Sequence, residues 1–226
     1  MFNLIKRHEC TKNHFLASVQ QIVDEFPKNA ICKRIDEKTL TRRHYSALLH
    51  TIFHQTYNNP STFGLAAAQL QSDREELRSY FLHHAEEEKN HWNWIIDDLR
   101  NLDDANPDPR DFYPQKSCQA YIAYNYYIAT RKPVGRLAIA LVLESFGGTY
   151  GREYGLRLCD VLDLQQNQCT FFFGHSETDV GHVEDILHIL DQSRIGDEEW
   201  SELTHIARCA GKMYLDLYES AGSMVY

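Results

Sequence analysis

The chain has 226 residues, 43% of them hydrophobic and 24% charged, a balance that supplies enough apolar material for one domain spanning residues 1–226. Its formal charge of −9 excludes nucleic acid or an anionic membrane surface as the expected partner, because neither gains from an acidic surface. The opening MFNLIKRHEC lacks an apolar stretch of signal-peptide length and no run approaches about 18 apolar residues, so a cytoplasmic protein is expected.

With 11 Gly, 6 Pro and no strand-turn-strand alternation, the periodicity predicts an all-α protein of seven or eight helices. The first covers residues 11–26, with Phe15, Val19, Ile22 and Phe26 on its apolar stripe and Pro27 ending it. A second covers 38–57 and is closed by Asn58-Asn59-Pro60, and Ser61 caps a short third to about residue 71. Ser72-Asp73-Arg74-Glu75 has the form of a capping box and starts a helix expected to run unbroken to Leu102. A loop over 103–109 follows, then a Tyr-rich helix over 116–130, broken by Arg131-Lys132-Pro133. The remaining helices are expected over 134–162, 166–193 and 197–221, the last opening with acids that suit the helix dipole.

The pattern His84-x3-Glu88-x2-His91 recurs 91 residues later as His175-x3-Asp179-x2-His182. At about 100° per residue, positions i, i+4 and i+7 of a helix fall within roughly 60° of arc, so each copy presents two imidazoles and a carboxylate on one face. Glu144 lies in the apolar run Ala138 to Gly148, with Arg152 and Arg157 as alternative ion-pair partners. A carboxylate buried there must be neutralised, paired with a cation or bound to a metal. Glu88, His91, Glu144, His175, Asp179 and His182 together make an oxygen-and-nitrogen set without thiolates, which suits two ions such as iron or manganese better than structural zinc. The pairs Glu88-x2-His91 and Asp179-x2-His182 match half of the ligand plan of ferritin-type bundles, but only one isolated Glu is evident.

The other candidates read as packing. Cys10, Cys32, Cys118, Cys159, Cys169 and Cys209 contain no Cys-x2-Cys pair and are expected as reduced thiols. His50 and His54 share a helix face that carries no carboxylate, Trp92 and Trp94 flank the ligand helix, and Tyr121, Tyr124, Tyr126 and Tyr127 have spacing that suits core packing, with a cavity wall as the alternative. Gly174 and Gly181 weaken the helix that carries the second copy.

Three motifs, His84 to Trp92, Leu143-Glu144-Ser145-Phe146-Gly147 and His175-x3-Asp179-x2-His182, resemble the haem-oxygenase-like dimetal oxidases and oxygenases, whose fold is shared with haem oxygenase, TenA proteins and PQQ-synthase-type oxidases. The resemblance covers residues 84–182 and implies a haem-oxygenase-like helical bundle. It implies that Glu88, His91, Glu144, His175, Asp179 and His182 hold two Fe(II) ions per chain, with Mn(II) as an alternative metal and Glu144 required for catalysis. It leaves Glu87 as an alternative to Glu88, and His84 as a seventh ligand or a supporting group. The implied activity is oxidation with O2 of a small amino acid or carboxylic acid by N-oxygenation, desaturation, C–C cleavage or nitrile formation in biosynthesis; a homodimer is left open. A TenA-like hydrolase, a cofactorless oxidase and a non-enzymatic metal- or partner-binding scaffold are the alternatives.

Overall fold

The computed structural model describes residues 2–102 and 108–223, with side chains from Thr11 onward. All regular structure among them is helical: α1 (Phe2–Val23), α2 (Ala30–Asp36), α3 (Arg42–Gln69), α4 (Glu75–Glu88), α5 (Trp92–Asn101), α6 (Lys116–Arg131), α7 (Arg136–Phe146), α8 (Arg152–Leu162), α9 (Thr170–Gln192) and α10 (Asp197–Gly222). Helices α4 and α5 are one interrupted helix, as are α7 and α8; counted that way the bundle has eight. The expected loop falls largely on residues 103–107, outside the described ones. No described helix is long and apolar enough to cross a membrane.

Helix α7 is the centre of the bundle, and Leu137, Ala138, Ile139, Ala140, Leu141 and Val142 along it are all buried. A helix apolar on every side must be surrounded, and α7 packs against α1, α9 and α10. It continues into a π-helical turn, Gly147–Gly151, that lies along α9 and leads into α8. Gly147 and Gly151 permit this approach: a Cβ on Gly151 would stand 3.1 Å from Ser176 and 3.2 Å from the Phe172 carbonyl.

Helix α1 begins earlier than expected and α2 is an added short helix, and three further differences from the sequence reading have plain physical reasons. Helix α3 runs straight through Pro60, which the sequence marks as a terminator. A proline costs about 3 kcal/mol in a helix interior, but the fully buried Phe53 and Phe63 on either side each stabilise by about 1.5–3 kcal/mol, so packing carries the helix across. The Ser72 capping box does not form; Arg74 takes the N-cap position of α4 and bonds Glu199 at 3.0 Å on α10 instead. The helix expected to run to Leu102 tightens after Glu88 into i→i−3 bonds, His91 N to the Glu88 carbonyl at 3.2 Å and Trp94 N to the His91 carbonyl at 3.2 Å.

The start of α9 is fixed by Asp98 on α5, a fully buried carboxylate that the sequence reading passes over. It accepts bonds from the Tyr45 hydroxyl at 2.8 Å, the Thr170 amide at 2.6 Å, the Thr170 hydroxyl at 2.8 Å and the Phe171 amide at 3.0 Å. An acid at a helix N-terminus satisfies amides that have no partner within the helix and meets the positive end of its dipole. The register of α9, and with it the height of His175, Asp179 and His182, is therefore set from another helix.

Candidate metal centre

The tight turn after α4 decides where its histidines point. In a 3₁₀-like step residues i and i+3 nearly eclipse, and His91 Nδ1 accordingly lies 2.9 Å from Glu88 Oε1. The His91 ring is held by stacking on Trp94, with centroids 4.3 Å apart. One turn back, His84 is buried with Nε2 3.3 Å from Glu144 Oε1, while the Tyr80 hydroxyl is 3.4 Å from its Nδ1.

Across the cavity α9 stays continuous through all three of its candidate residues. His182 Nδ1 is 3.2 Å from Glu144 Oε2 and 3.9 Å from Glu88 Oε1. His175 Nδ1 sits 3.0 Å from the Phe171 carbonyl, which can only accept, so Nδ1 carries the proton and Nε2 is left as a lone-pair donor. The Asp179 carboxyl is hydrogen-bonded to Glu144, and its Oδ2 comes so near Gly147 that a Cβ there would lie 1.7 Å away.

These side chains form two overlapping groups. Donor atoms of His84, Glu88, Glu144 and His182 lie within 4.8 Å of one another, and so do donor atoms of Glu88, His91 and His175. Each sequence copy thus gives one imidazole to each group. The two helices pair in antiparallel fashion, His84 with His182 at 4.5 Å and His91 with His175 at 5.2 Å between centroids. Residues seven apart are separated by about 10 Å along a helix axis, too far to meet on one ion, so a copy must straddle two positions. Glu88 belongs to both groups; Asp179 belongs to neither and stands beside Glu144.

The donor set fits divalent cations. His84 Nε2, Glu88 Oε1 and His91 Nδ1 are buried facing the shared space, and apart from the approach of His84 to Glu144 and of His91 to Glu88 they have no partner. Buried polar atoms so poorly paired are costly, and cations at the two positions would satisfy all three. Three buried carboxylates, Glu88, Glu144 and Asp179, also need positive charge. Burial raises the Asp179 carboxyl well above its ordinary value, and the charges of Glu144 and Glu88 add to this. Burial acts on Glu144 in the same direction but is outweighed by contacts with His182 and His84, which hold it below the ordinary range. Glu88 is likewise lowered, because contact with His91 overcomes its burial. Burial alone would lower His182, yet Glu144 raises it, whereas burial dominates at His175 and lowers it.

Glu87 is part-exposed, with Oε2 3.6 Å from His182 Nε2 and Oε1 3.4 Å from His83, so of the two neighbouring acids Glu88 is the one directed inward. Glu144 has no arginine from its own C-terminal side: Arg157 bonds Asp36 at 2.5 Å and Glu153 at 3.3 Å. His50 and His54 pack against Phe112 and Phe53, away from the centre. The described cysteines are all free.

A cavity of about 50 Å³ opens beside the two groups and reaches Glu88, Glu144, His175 and Asp179. Its aromatic wall is Phe26, Phe146, Phe171, Phe172, Tyr214 and Tyr218, none of them in the Tyr-rich helix that the sequence offers as a wall. Tyr121 instead lines a smaller space that shares Gln55 and Asn59 with the main cavity. The sequence reading also misses Arg136 and Asn59, which lie behind Glu88. The available signal is a lone charge heading the apolar run Leu137 to Leu143.

No known sequence family and no curated protein matches the chain. Solved structures do. A domain of unknown function with a haem-oxygenase-like fold from Shewanella denitrificans OS217 superposes with a TM-score of 0.82 at 22% identity, covering 90% of this chain and 88% of that one. A TenA homologue from P. horikoshii OT3 gives 0.75 at 15% identity over 93% and 97%. Haem oxygenase-2 from Synechocystis sp. PCC 6803, solved with haem and NO, gives 0.70 at 15% over 93% and 84%. The chain therefore has the haem-oxygenase-like fold, one that includes enzymes. Likeness at this identity establishes the architecture, and function has to be argued from the site.

Proposed function

We propose that the protein is a non-haem dimetal oxidase or oxygenase that uses O2 on a small amino acid or carboxylic acid. The observation that carries this reading is the pair of donor groups joined at Glu88 and facing an apolar cavity. His84, His182, Glu144 and Glu88 would hold one ion, and His91, His175 and Glu88 the other, with Asp179 beside Glu144. Iron, or manganese in its place, would supply the redox chemistry with dioxygen that protein side chains lack.

The chain's own residues do the rest. Phe171, Phe172 and Phe146 exclude water from the space beside the carboxylates, which strengthens every electrostatic contact there. His175, with Nδ1 bonded to the Phe171 carbonyl, presents a neutral ring in one orientation. Asp179, whose burial beside Glu144 raises it, favours its protonated form there, and a cation bound nearby would favour the carboxylate. The hydrolytic alternative finds no cysteine among the cavity-lining residues, and the Thr56 hydroxyl is bonded to the Ile52 carbonyl at 3.1 Å.

Anaerobic loading with Fe(II), metal analysis and then O2 uptake with a panel of amino and carboxylic acids tests the proposal. Close to two ions per chain and substrate-dependent uptake are expected. A plateau at one ion or none removes the dimetal reading, and two ions without uptake under any acid leaves a metal-binding scaffold. Glu88→Ala should lose both ions and His91→Ala only one.

A further inference from the structure

Arg136 is fully buried, and its hydrogen bonds and ring contact all go to neutral side chains, while Glu144 and Glu88 act on it through space. Its guanidinium bonds Asn59 Oδ1 and, at 3.1 Å, Thr62 Oγ1, and lies 3.9 Å over the Phe63 ring; Nη1 has no partner. A buried guanidinium hydrogen-bonded only to neutral groups is expensive even with Glu144 and Glu88 near enough to act on it, and an apolar side chain of similar volume would fill the same space more cheaply. Packing alone does not account for it.

The consequence lies one residue further on. Guanidinium has donors and no acceptor, so Arg136 forces the oxygen of the Asn59 amide toward itself and the nitrogen the other way. That nitrogen donates to Glu88 Oε2 at 3.0 Å. Glu88 is thereby held by one oxygen from behind, while Oε1 is turned to His91 at 2.9 Å and His182 at 3.9 Å.

We propose that Arg136, acting through Asn59, is the positioning residue for Glu88, fixing which carboxylate oxygen faces the two donor groups. The inference rests on reading Glu88 as the carboxylate that both ions share. It makes a prediction of definite sign. Removing a positive charge near a cation site should tighten cation binding by simple Coulomb attraction, whereas loss of positioning should weaken it.

The test uses the full chain with Co(II) as probe, comparing Arg136→Met, Asn59→Leu and the double variant with the wild type. Each single variant should weaken Co(II) binding by about 10–100-fold and change the visible Co(II) spectrum, and the double variant should be no weaker than the worse single one. A purely structural role would lower thermal stability and leave affinity and spectrum unmoved; unchanged or tighter binding in both variants overturns the proposal. Should Arg136→Met fail to fold, Asn59→Leu, which leaves Arg136 in place, carries the test. In the metal-free protein at one fixed pH, the ¹⁵N signals of the His91 ring, in contact with Glu88, should shift in both variants. If the wild type binds no Co(II) and those signals still shift, positioning stands and the dimetal reading falls; if they do not move, positioning is wrong.

Discussion

Gly147→Ala should separate folding from metal binding. An added Cβ would stand 1.7 Å from Asp179 Oδ2 and 2.8 Å from its Cγ. A carbon and an oxygen without a covalent bond come no nearer than about 3.3 Å, so the carboxyl must retreat by about 1.6 Å. The obstructing atom ends a short side chain that can rotate, so the overpacking cost lies near the low end of about 1–3 kcal/mol. Alanine in place of glycine in a helical segment returns up to about 1 kcal/mol, and the net change in stability should stay within about 2 kcal/mol. Metal binding is far less tolerant, since a shift of about 1 Å in a site group can cost on the order of 100-fold. Titration with Mn(II) alongside thermal melts is the assay. A melting temperature within a few degrees of wild type and a loss of at least tenfold in the affinity of one ion are expected. Two ions bound as tightly as in the wild type would refute the role given to Asp179.

The other predictions concern α9 and its environment. Gly181→Ala meets open space within a helix and should raise stability by about 1 kcal/mol, seen as a melt about 2–4 °C higher, whereas Gly174→Ala would put a Cβ 2.8 Å from Trp94 and should destabilise. Asp98→Ala leaves two α9 amides and the Tyr45 hydroxyl without their acceptor and should cost about 3–5 kcal/mol, a fall on the order of 10 °C; a change under about 1 kcal/mol would show that α9 is not anchored there. Divalent-metal affinity should fall as pH falls. Asp179 is raised above its ordinary 3.8 and His182 above its ordinary 6.5, so each keeps its proton to higher pH than usual and competes with a cation more strongly as pH falls, and Mn(II) should bind at least about tenfold more weakly at pH 6 than at pH 8. Equal affinity at the two values would exclude proton-coupled binding.

The repeated His-x3-acid-x2-His pattern was legible because helical periodicity is local: spacing of four and seven puts three side chains on one face whatever surrounds them. The all-α architecture was legible for the same reason, and so was the anomaly of Glu144 within an apolar run. Which imidazoles meet was not. A single copy looks like one ligand set, but only the antiparallel packing of α4 against α9 pairs His84 with His182 and His91 with His175, and so gives Glu88 to both groups. Asn59 looked like part of a helix terminator and Arg136 like an ordinary helix start; burial of Phe53 and Phe63 carries α3 through Pro60 and brings Asn59 between Arg136 and Glu88. Asp98 gave no signal at all, because the amides that it caps begin a helix 72 residues away in sequence. Local spacing chooses the chemistry that a helix face can offer, whereas long-range packing decides which faces meet, which charges lose their water and which carboxylate oxygen is left free.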